Sequence, residues 1–359
     1  MVPASLRKSP AMPRLGIISS LCLALVSIAA PPAGAQENAA ICKDENTGPD
    51  AAIAACTRII STSKAKTNDL ASTYYNRAIG YRQKNDLDNA LSDYSDAIKI
   101  NPKHARAFNN RGTIYKEKGD LDRAIADFSE AIRLDPKFTA AYFNRGNAYD
   151  DKGDEAKALA DLDAAIRLDP KNAAALTVRG VVWKRKGDAE RAVADFTQAI
   201  DIDPGYAIAY ANRGDAWEEK GDSDKALADL VRAINLNPNS TRALAVRGYL
   251  YRKKGDLDRA IVDYGEIIRI DPKSDEAYVR RSEAWLAKGD RLAALRDADE
   301  AVKLDPNAPV NYAARAAVMR ALARNDDAVA DLRKALTLNP SEPRKRQIEA
   351  ALKELGAGP

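Results

Sequence analysis

Residues 105–138 read ARAFNNRGTIYKEKGDLDRAIADFSEAIRLDPKF, and residues 139–172 read TAAYFNRGNAYDDKGDEAKALADLDAAIRLDPKN. Laid over each other, they agree at Arg111 and Arg145, Gly112 and Gly146, Tyr115 and Tyr149, Asp127 and Asp161, and Pro136 and Pro170. The proline carries the period along the chain: it falls at 102, 136, 170, 204, 238, 272, 306 and 340, always 34 residues apart. A fixed period of this length signals a repeat array. It overrides the two or three domains that 359 residues suggest at roughly 150 residues per domain.

Units beginning at 71, 105, 139, 173, 207, 241, 275 and 309 align the rest. Their fourth position is large (Tyr74, Phe108, Tyr142, Leu176, Tyr210, Leu244, Tyr278, Tyr312), and the eighth is small (Ala78, five glycines from Gly112 to Gly248, Ser282, Ala316). The eleventh is aromatic in seven units and Met319 in the last, and the twentieth is alanine throughout, from Ala90 to Ala328. Positions 4, 8 and 11 share one helical face, and positions 20, 24, 27 and 28 share another, so each unit is a pair of amphipathic helices. A Gly-Asp pair such as Gly119-Asp120 divides them. The glycine suits the left-handed end of the first helix and the aspartate caps the second, which the proline then stops. Small residues at 8, 20 and 27 let two helix axes approach, and bulky ones at 4, 11 and 24 fill the gaps.

These residues resemble the tetratricopeptide repeat family over 71–342. The resemblance implies an all-α, right-handed α-solenoid of stacked helical hairpins with the first helices lining a concave groove. The units run 71–104, 105–138, 139–172, 173–206, 207–240, 241–274, 275–308 and 309–342. Unit 1 departs with Asn85 for the glycine; unit 8 departs with Ala323-Arg324 and Met319. A solenoid needs polar caps. Residues 343–359 supply an amphipathic C-terminal cap, PRKRQIEAALKEL, and a tail; residues 36–70 supply the N-terminal cap, in which 50–60 reads as a lone second helix with Cys56 at the position-24 slot.

Residues 1–35 are laid out as a secretory signal: Arg7, Lys8 and Arg14 with no acid, an apolar run Leu15–Ala30, then Ala33-Gly34-Ala35. The run is 16 residues, short of the ~20 that span a bilayer, so cleavage after Ala35 and a periplasmic or secreted mature chain is the expectation. The alternative is an uncleaved membrane anchor. Either Met1 or Met12 can be the start. Removing the label leaves 53 basic and 52 acidic residues, a charge of +1 against +4 for the whole chain. Neither value favours nucleic acid, and no membrane association is expected of the mature form. Cys42 and Cys56 are then the remaining cysteines, and in an exported chain they pair most economically with each other; free thiols in a reducing compartment are the alternative.

Two charges recur in every unit: arginine at position 7 (Arg77 to Arg315) and aspartate at position 23 (Asp93 to Asp331). Stacking is the same task eight times and a ligand is not periodic, so an Arg–Asp pair within a unit or between neighbours is expected. In the family, positions 2, 5, 6, 9, 12 and 13 face the groove. Position 6 reads Asn76, Asn110, Asn144, Val178, Asn212, Val246, Arg280, Ala314. An amide donates and accepts at once, so these asparagines, with Tyr75 and Phe143 beside them, are candidate contacts for an extended peptide over units 1 to 5. No run of units carries the Lys, Asn and Arg of the family's chaperone-type carboxylate clamp, and none is expected. Positions 12 and 13 swing in sign, from Asp150-Asp151 to Lys184-Arg185, Glu218-Glu219 and Arg252-Lys253, which reads as a solvated mosaic or as register for a partner or a second copy.

Catalytic motifs are missing: no phosphate loop, no nucleophile elbow, no H-E-x-x-H, and a single histidine, His104, at a repeat junction where a helix-start role suits it. The expectation is a scaffold binding a protein or peptide, with no enzyme activity, cofactor or metal. It resembles exported bacterial proteins built wholly of such repeats. The runners-up are a self-associating spacer, as a homo-oligomer, and an accessory subunit presenting substrates to an envelope enzyme.

Overall fold

In the computed structural model, residues 33–44, 46–63 and 67–358 are described. The basic start and the apolar run Leu15–Ala30 lie outside them, and of Ala33–Ala35 only the helical backbone is described. Nineteen helices and no strand make up the described residues. The cap comprises α1 (Ala33–Lys43) and α2 (Pro49–Thr62). Units 1 to 4 are α3 (Asn68–Gln83) and α4 (Leu87–Ile100), α5 (Ala105–Glu117) and α6 (Leu121–Leu134), α7 (Thr139–Asp151) and α8 (Glu155–Leu168), α9 (Ala173–Arg185) and α10 (Ala189–Ile202). Units 5 to 8 are α11 (Ala207–Glu219) and α12 (Ser223–Leu236), α13 (Thr241–Lys253) and α14 (Leu257–Ile270), α15 (Asp275–Lys288) and α16 (Arg291–Leu304), α17 (Pro309–Ala321) and α18 (Asn325–Thr337). Helix α19 (Glu342–Glu354) closes the array.

The turn chemistry works as the sequence implies. Asp120 accepts from the Arg123 backbone N–H, and the aspartates at the same position of units 1 to 7 cap their second helices in the same way. Gly119 takes a left-handed φ of 79°, and Ala323 is held at 61° in unit 8, where a side chain makes that conformation costly. Inside a unit the small eighth residue sets the helix spacing. A Cβ built on Gly180 would lie 2.6 Å from the Phe196 ring. Pairs such as this fill the interior at close packing: Phe128, Phe196, Tyr94 and Tyr264 at position 24 are all fully buried.

Neighbouring first helices touch one another, α5 with α7, α7 with α9, α9 with α11, α11 with α13 and α15 with α17. Successive second helices make no contact of that extent among the described residues. The first helices therefore lie on the inner side of the curve. At the C-terminal end, Ile348 and Leu352 of α19 bury themselves against Leu332 and Met319. At the other end, α1 supplies a hairpin partner for α2, so the cap is a shortened ninth unit where the sequence suggested a lone second helix. The sulfurs of Cys42 and Cys56 stand at bonding distance, 2.12 Å, with their Cα atoms 5.1 Å apart.

Candidate functional site

The recurring Arg–Asp pair is a structural rivet inside each unit. Arg111 donates through Nε and Nη2 to the two carboxylate oxygens of Asp127, both at 2.8 Å, and the same fork recurs from Arg77–Asp93 to Arg315–Asp331. The aspartates are nearly buried and their arginines about one-fifth exposed. Burial pushes the Asp93 and Asp263 carboxyls above the usual range, against the pull of Arg77 and Arg247. The third arm, Nη1, reaches back to position 25 of the preceding unit: Ser95, Ser129, Asp163, Thr197 and Asp299 accept from Arg111, Arg145, Arg179, Arg213 and Arg315. Arg77 reaches Thr57 in the same way, which fixes the register of α2 and places Cys56 at position 24. For Arg247 and Arg281 the corresponding residues are Val231 and Gly265, which offer no side-chain acceptor.

The charge mosaic at positions 12 and 13 is explained by pairing along the array. Arg82 meets Glu117, Lys116 meets Asp151, Arg185 meets Asp150, Lys184 meets Glu219 and Lys253 meets Glu218, each across a unit boundary. A second ladder, which the sequence reading passed over, joins the lysine at position 14 to an acid near the start of the previous unit's second helix. Lys118–Asp88, Lys220–Glu190 and Lys254–Asp224 are examples. Its signal was present, since lysine fills position 14 in seven consecutive units from Lys84 to Lys288.

The candidate asparagines divide. Asn144 donates to Asn109 at 2.9 Å, Asn109 to Asn110 at 3.2 Å, and Asn110 to the hydroxyls of Tyr75 and Tyr94 at 3.2 and 3.4 Å. That chain knits units 1 to 3 together. Burial pushes the Tyr94 phenol up to about 12, so it stays protonated. Asn76 is half-buried, as are Tyr75 and Phe143. Tyr75 packs against Tyr94 and against the ring of His104 at 4.8 Å. Asn212 is buried and bonded to the Ile208 carbonyl of its own helix. His104 caps α5, its Nδ1 accepting from the Ala107 backbone at 3.2 Å; it is half-buried, and burial lowers its pKa.

Farther along, the groove opens. Position 5 is Tyr75, Asn109, Phe143 and Thr177 in units 1 to 4, then Ala211, Ala245, Val279 and Ala313. Together with Val246 at position 6, this shrinkage leaves a hollow of about 560 Å³ between α11, α13 and α15. Ile267 and Tyr264 form its base, and Tyr249 and Arg280 its flanks. Arg280 is paired with Glu276, and Arg242 and Lys184 with Asp215, so the charged rim is already neutralised. Within it Asp215 Oδ1 is buried with no hydrogen-bond partner among the described residues, and the buried Tyr264 hydroxyl lies beside the Arg252 guanidinium without a well-formed hydrogen bond. No cluster of acidic, histidine or cysteine side chains suited to a metal ion occurs among the described residues, and no helix there is long and apolar enough to cross a membrane.

Residues 80–119 and 112–153 match the TPR repeat family, and 143–207, 177–240, 212–275 and 246–309 match the tetratricopeptide repeat family. The chain belongs to the tetratricopeptide repeat family. Members of this family generally act as protein-interaction scaffolds. Among solved structures, a tetratricopeptide repeat protein from Parabacteroides merdae ATCC 43184 is 21% identical, with a TM-score of 0.53, covering 70% of this chain and 98% of its own. A chain of the APC/C hetero-tetramer Cut9–Hcn1 is 16% identical with a TM-score of 0.57, covering 90% of this chain and 62% of its own. PilF of Pseudomonas aeruginosa is 17% identical with a TM-score of 0.52, covering 58% and 94%. At these identities the likeness is one of fold. No curated protein sequence matches the chain.

Proposed function

We propose that this tetratricopeptide repeat protein is an exported, non-enzymatic scaffold that holds an extended segment of a partner protein along its groove. The observation that carries the reading is the inner face of first helices, where a hollow of about 560 Å³ opens beside the buried Asp215 Oδ1, which has no hydrogen-bond partner among the described residues. An unpaired buried polar group costs about 1–3 kcal/mol, and a ligand that supplies the missing bond recovers part of it. In units 1 to 3, Asn76, Asn110 and Asn144 with Tyr75 and Phe143 are the proposed contacts. Asn144 keeps its carbonyl oxygen for a ligand, since its hydrogen bond uses the amide nitrogen. Asn212 is the further candidate in unit 5, its Oδ1 buried and without a hydrogen-bond partner among the described residues.

Export is supported by the three-part layout of residues 1–35 and by the bonding distance between Cys42 and Cys56, a pairing that belongs to an oxidising compartment. The test is site-specific photo-crosslinking in cells from Thr113 and Tyr249, at position 9 in the groove, and from Val262, 68% exposed on a second helix. Adducts with one protein from the groove positions and none from Val262 are expected. Adducts from Val262 alone would overturn the groove reading, and adducts of the chain with itself would favour the spacer.

A further inference from the structure

We propose that the hollow between units 5, 6 and 7 is an anchor site for a tyrosine or tryptophan side chain of an extended peptide. This rests on the scaffold reading and specifies what its groove selects. Three observations converge.

The space is built in by residue choice. Ala245 and Val246 stand where unit 3 carries Phe143 and Asn144, and Ala277 completes a small-residue wall above Ile267. An apolar base of this kind accepts a ring, and the volume falls in the range of about 300–1,000 Å³ that ligand pockets occupy.

The polar atoms within it lack what their counterparts have. Tyr94, at position 24 of unit 1, accepts from Asn110 at position 6 of the next unit. Tyr264 holds the same position in unit 6, and the next unit presents Arg280, which is turned to Glu276. The Tyr264 side chain is fully buried and lines the hollow, and its hydroxyl has the Arg252 guanidinium beside it in place of an amide donor, without a well-formed hydrogen bond. Asp215 Oδ1 is unmet, while its Oδ2 is taken by Arg242.

The charge balance excludes an ionic anchor. Arg280, Arg242, Lys184 and Lys253 are matched by Glu276, Asp215, Glu219 and Glu218, so a charged side chain would have to break an existing pair. What fits is an uncharged ring bearing one donor. A phenol O–H or an indole N–H can donate to Asp215 Oδ1 or to the Tyr264 oxygen while its ring covers Val246 and Ile267. Tyr264 can also donate to a peptide carbonyl alongside. Phenylalanine fills the same space but leaves the acceptors unmet, so it is expected to bind more weakly.

The experiment is selection of a random octapeptide library on the protein, followed by affinity measurement of selected peptides on three variants. Ala245→Phe fills the hollow with the residue unit 3 already carries at that position, and Ala245 is solvent-exposed, so folding is preserved. Tyr264→Phe removes one oxygen and copies Phe128 and Phe196. Asn144→Ala reports on the other half of the groove. The expected result is enrichment of tyrosine or tryptophan at one peptide position, with binding reduced at least about tenfold by Ala245→Phe and less by Tyr264→Phe, and with exchange of the anchor for phenylalanine weakening the peptide. Peptides that lack an aromatic anchor, or whose binding ignores Ala245→Phe, overturn the anchor site. If such peptides respond to Asn144→Ala, the scaffold reading survives without it. Failure to select any peptide overturns the anchor as well, and the crosslinking experiment then judges the scaffold reading separately.

Discussion

Units 1 to 3 and units 5 to 7 are built on one template and present different inner faces. In the first set, large or polar residues at positions 5 and 6 bond to one another, and Asn144, Asn109, Asn110 and Tyr94 form a continuous chain. In the second, position 5 shrinks to Ala211, Ala245 and Val279, position 6 of unit 6 is Val246, and the arginine rivets lose their third acceptor at Val231 and Gly265. The buried side-chain polar atoms without a partner among the described residues all fall in units 5 to 8. A repeat array spends the same interactions on stacking at every boundary, so a departure from the period marks where something other than stacking has shaped the residues.

The largest effects should come from the rivets, and the two regions should differ. Asp263→Ala strands Arg247 with no acceptor at position 25 and is expected to cost about 3 kcal/mol. Asp195→Ala leaves Arg179 bonded to Asp163 and should cost clearly less, about 1–2 kcal/mol. Urea melts measure both, and equal losses would show that the third arm adds nothing. Next come the two tyrosines at position 24. Tyr94→Phe removes an acceptor from Asn110 and should destabilise by about 1 kcal/mol, whereas Tyr264→Phe removes a hydroxyl that has only the Arg252 guanidinium beside it, without a well-formed hydrogen bond, and should cost clearly less. Equal losses from both would erase the contrast between the halves.

Most of the fold was legible because stacking is periodic. The prolines gave the unit length, the small eighth residue gave the helix spacing, and the Gly-Asp pair gave the turn. The Arg–Asp pairing was legible too, although the sequence left open whether it ran within a unit or between neighbours; the fork from Arg111 to Asp127 is within. The mosaic at positions 12 and 13 was harder. Its sign changes satisfy neighbours such as Lys116 and Asp151, and pairing across 35 residues cannot be seen without the superhelix. The hollow was not legible from what stands at position 6. The informative signal was a loss, Tyr and Phe giving way to Ala at position 5.

Smaller effects sharpen the remaining differences. Ala323→Gly should stabilise unit 8 by about 1 kcal/mol, because its left-handed φ of 61° suits glycine; a lower melting temperature would contradict that account of the terminal unit. Below about pH 4 the capping aspartates should govern acid stability. The Asp120 carboxyl is held below the ordinary range by its bond from the Arg123 backbone, and the Asp154 carboxyl by the Lys157 ammonium. Stability from groups so lowered is present above the unfolded value and lost as pH falls through the folded one. Asp93 and Asp263, pushed upward by burial, work in the opposite sense, their ionisation opposing folding as pH rises past the unfolded value. Asn caps as well as Asp without titrating, so Asp120→Asn with Asp154→Asn should flatten the acid limb of the stability curve, and an unchanged limb would assign it to other carboxyls.

The contrast between the two inner faces is tested most directly by 3-fluorotyrosine placed at positions 94 and 264 and read by fluorine NMR while N-acetyl-tryptophanamide is titrated in. The account predicts a saturable shift of the Tyr264 resonance and a stationary Tyr94. Movement of Tyr94, or of neither, would contradict it.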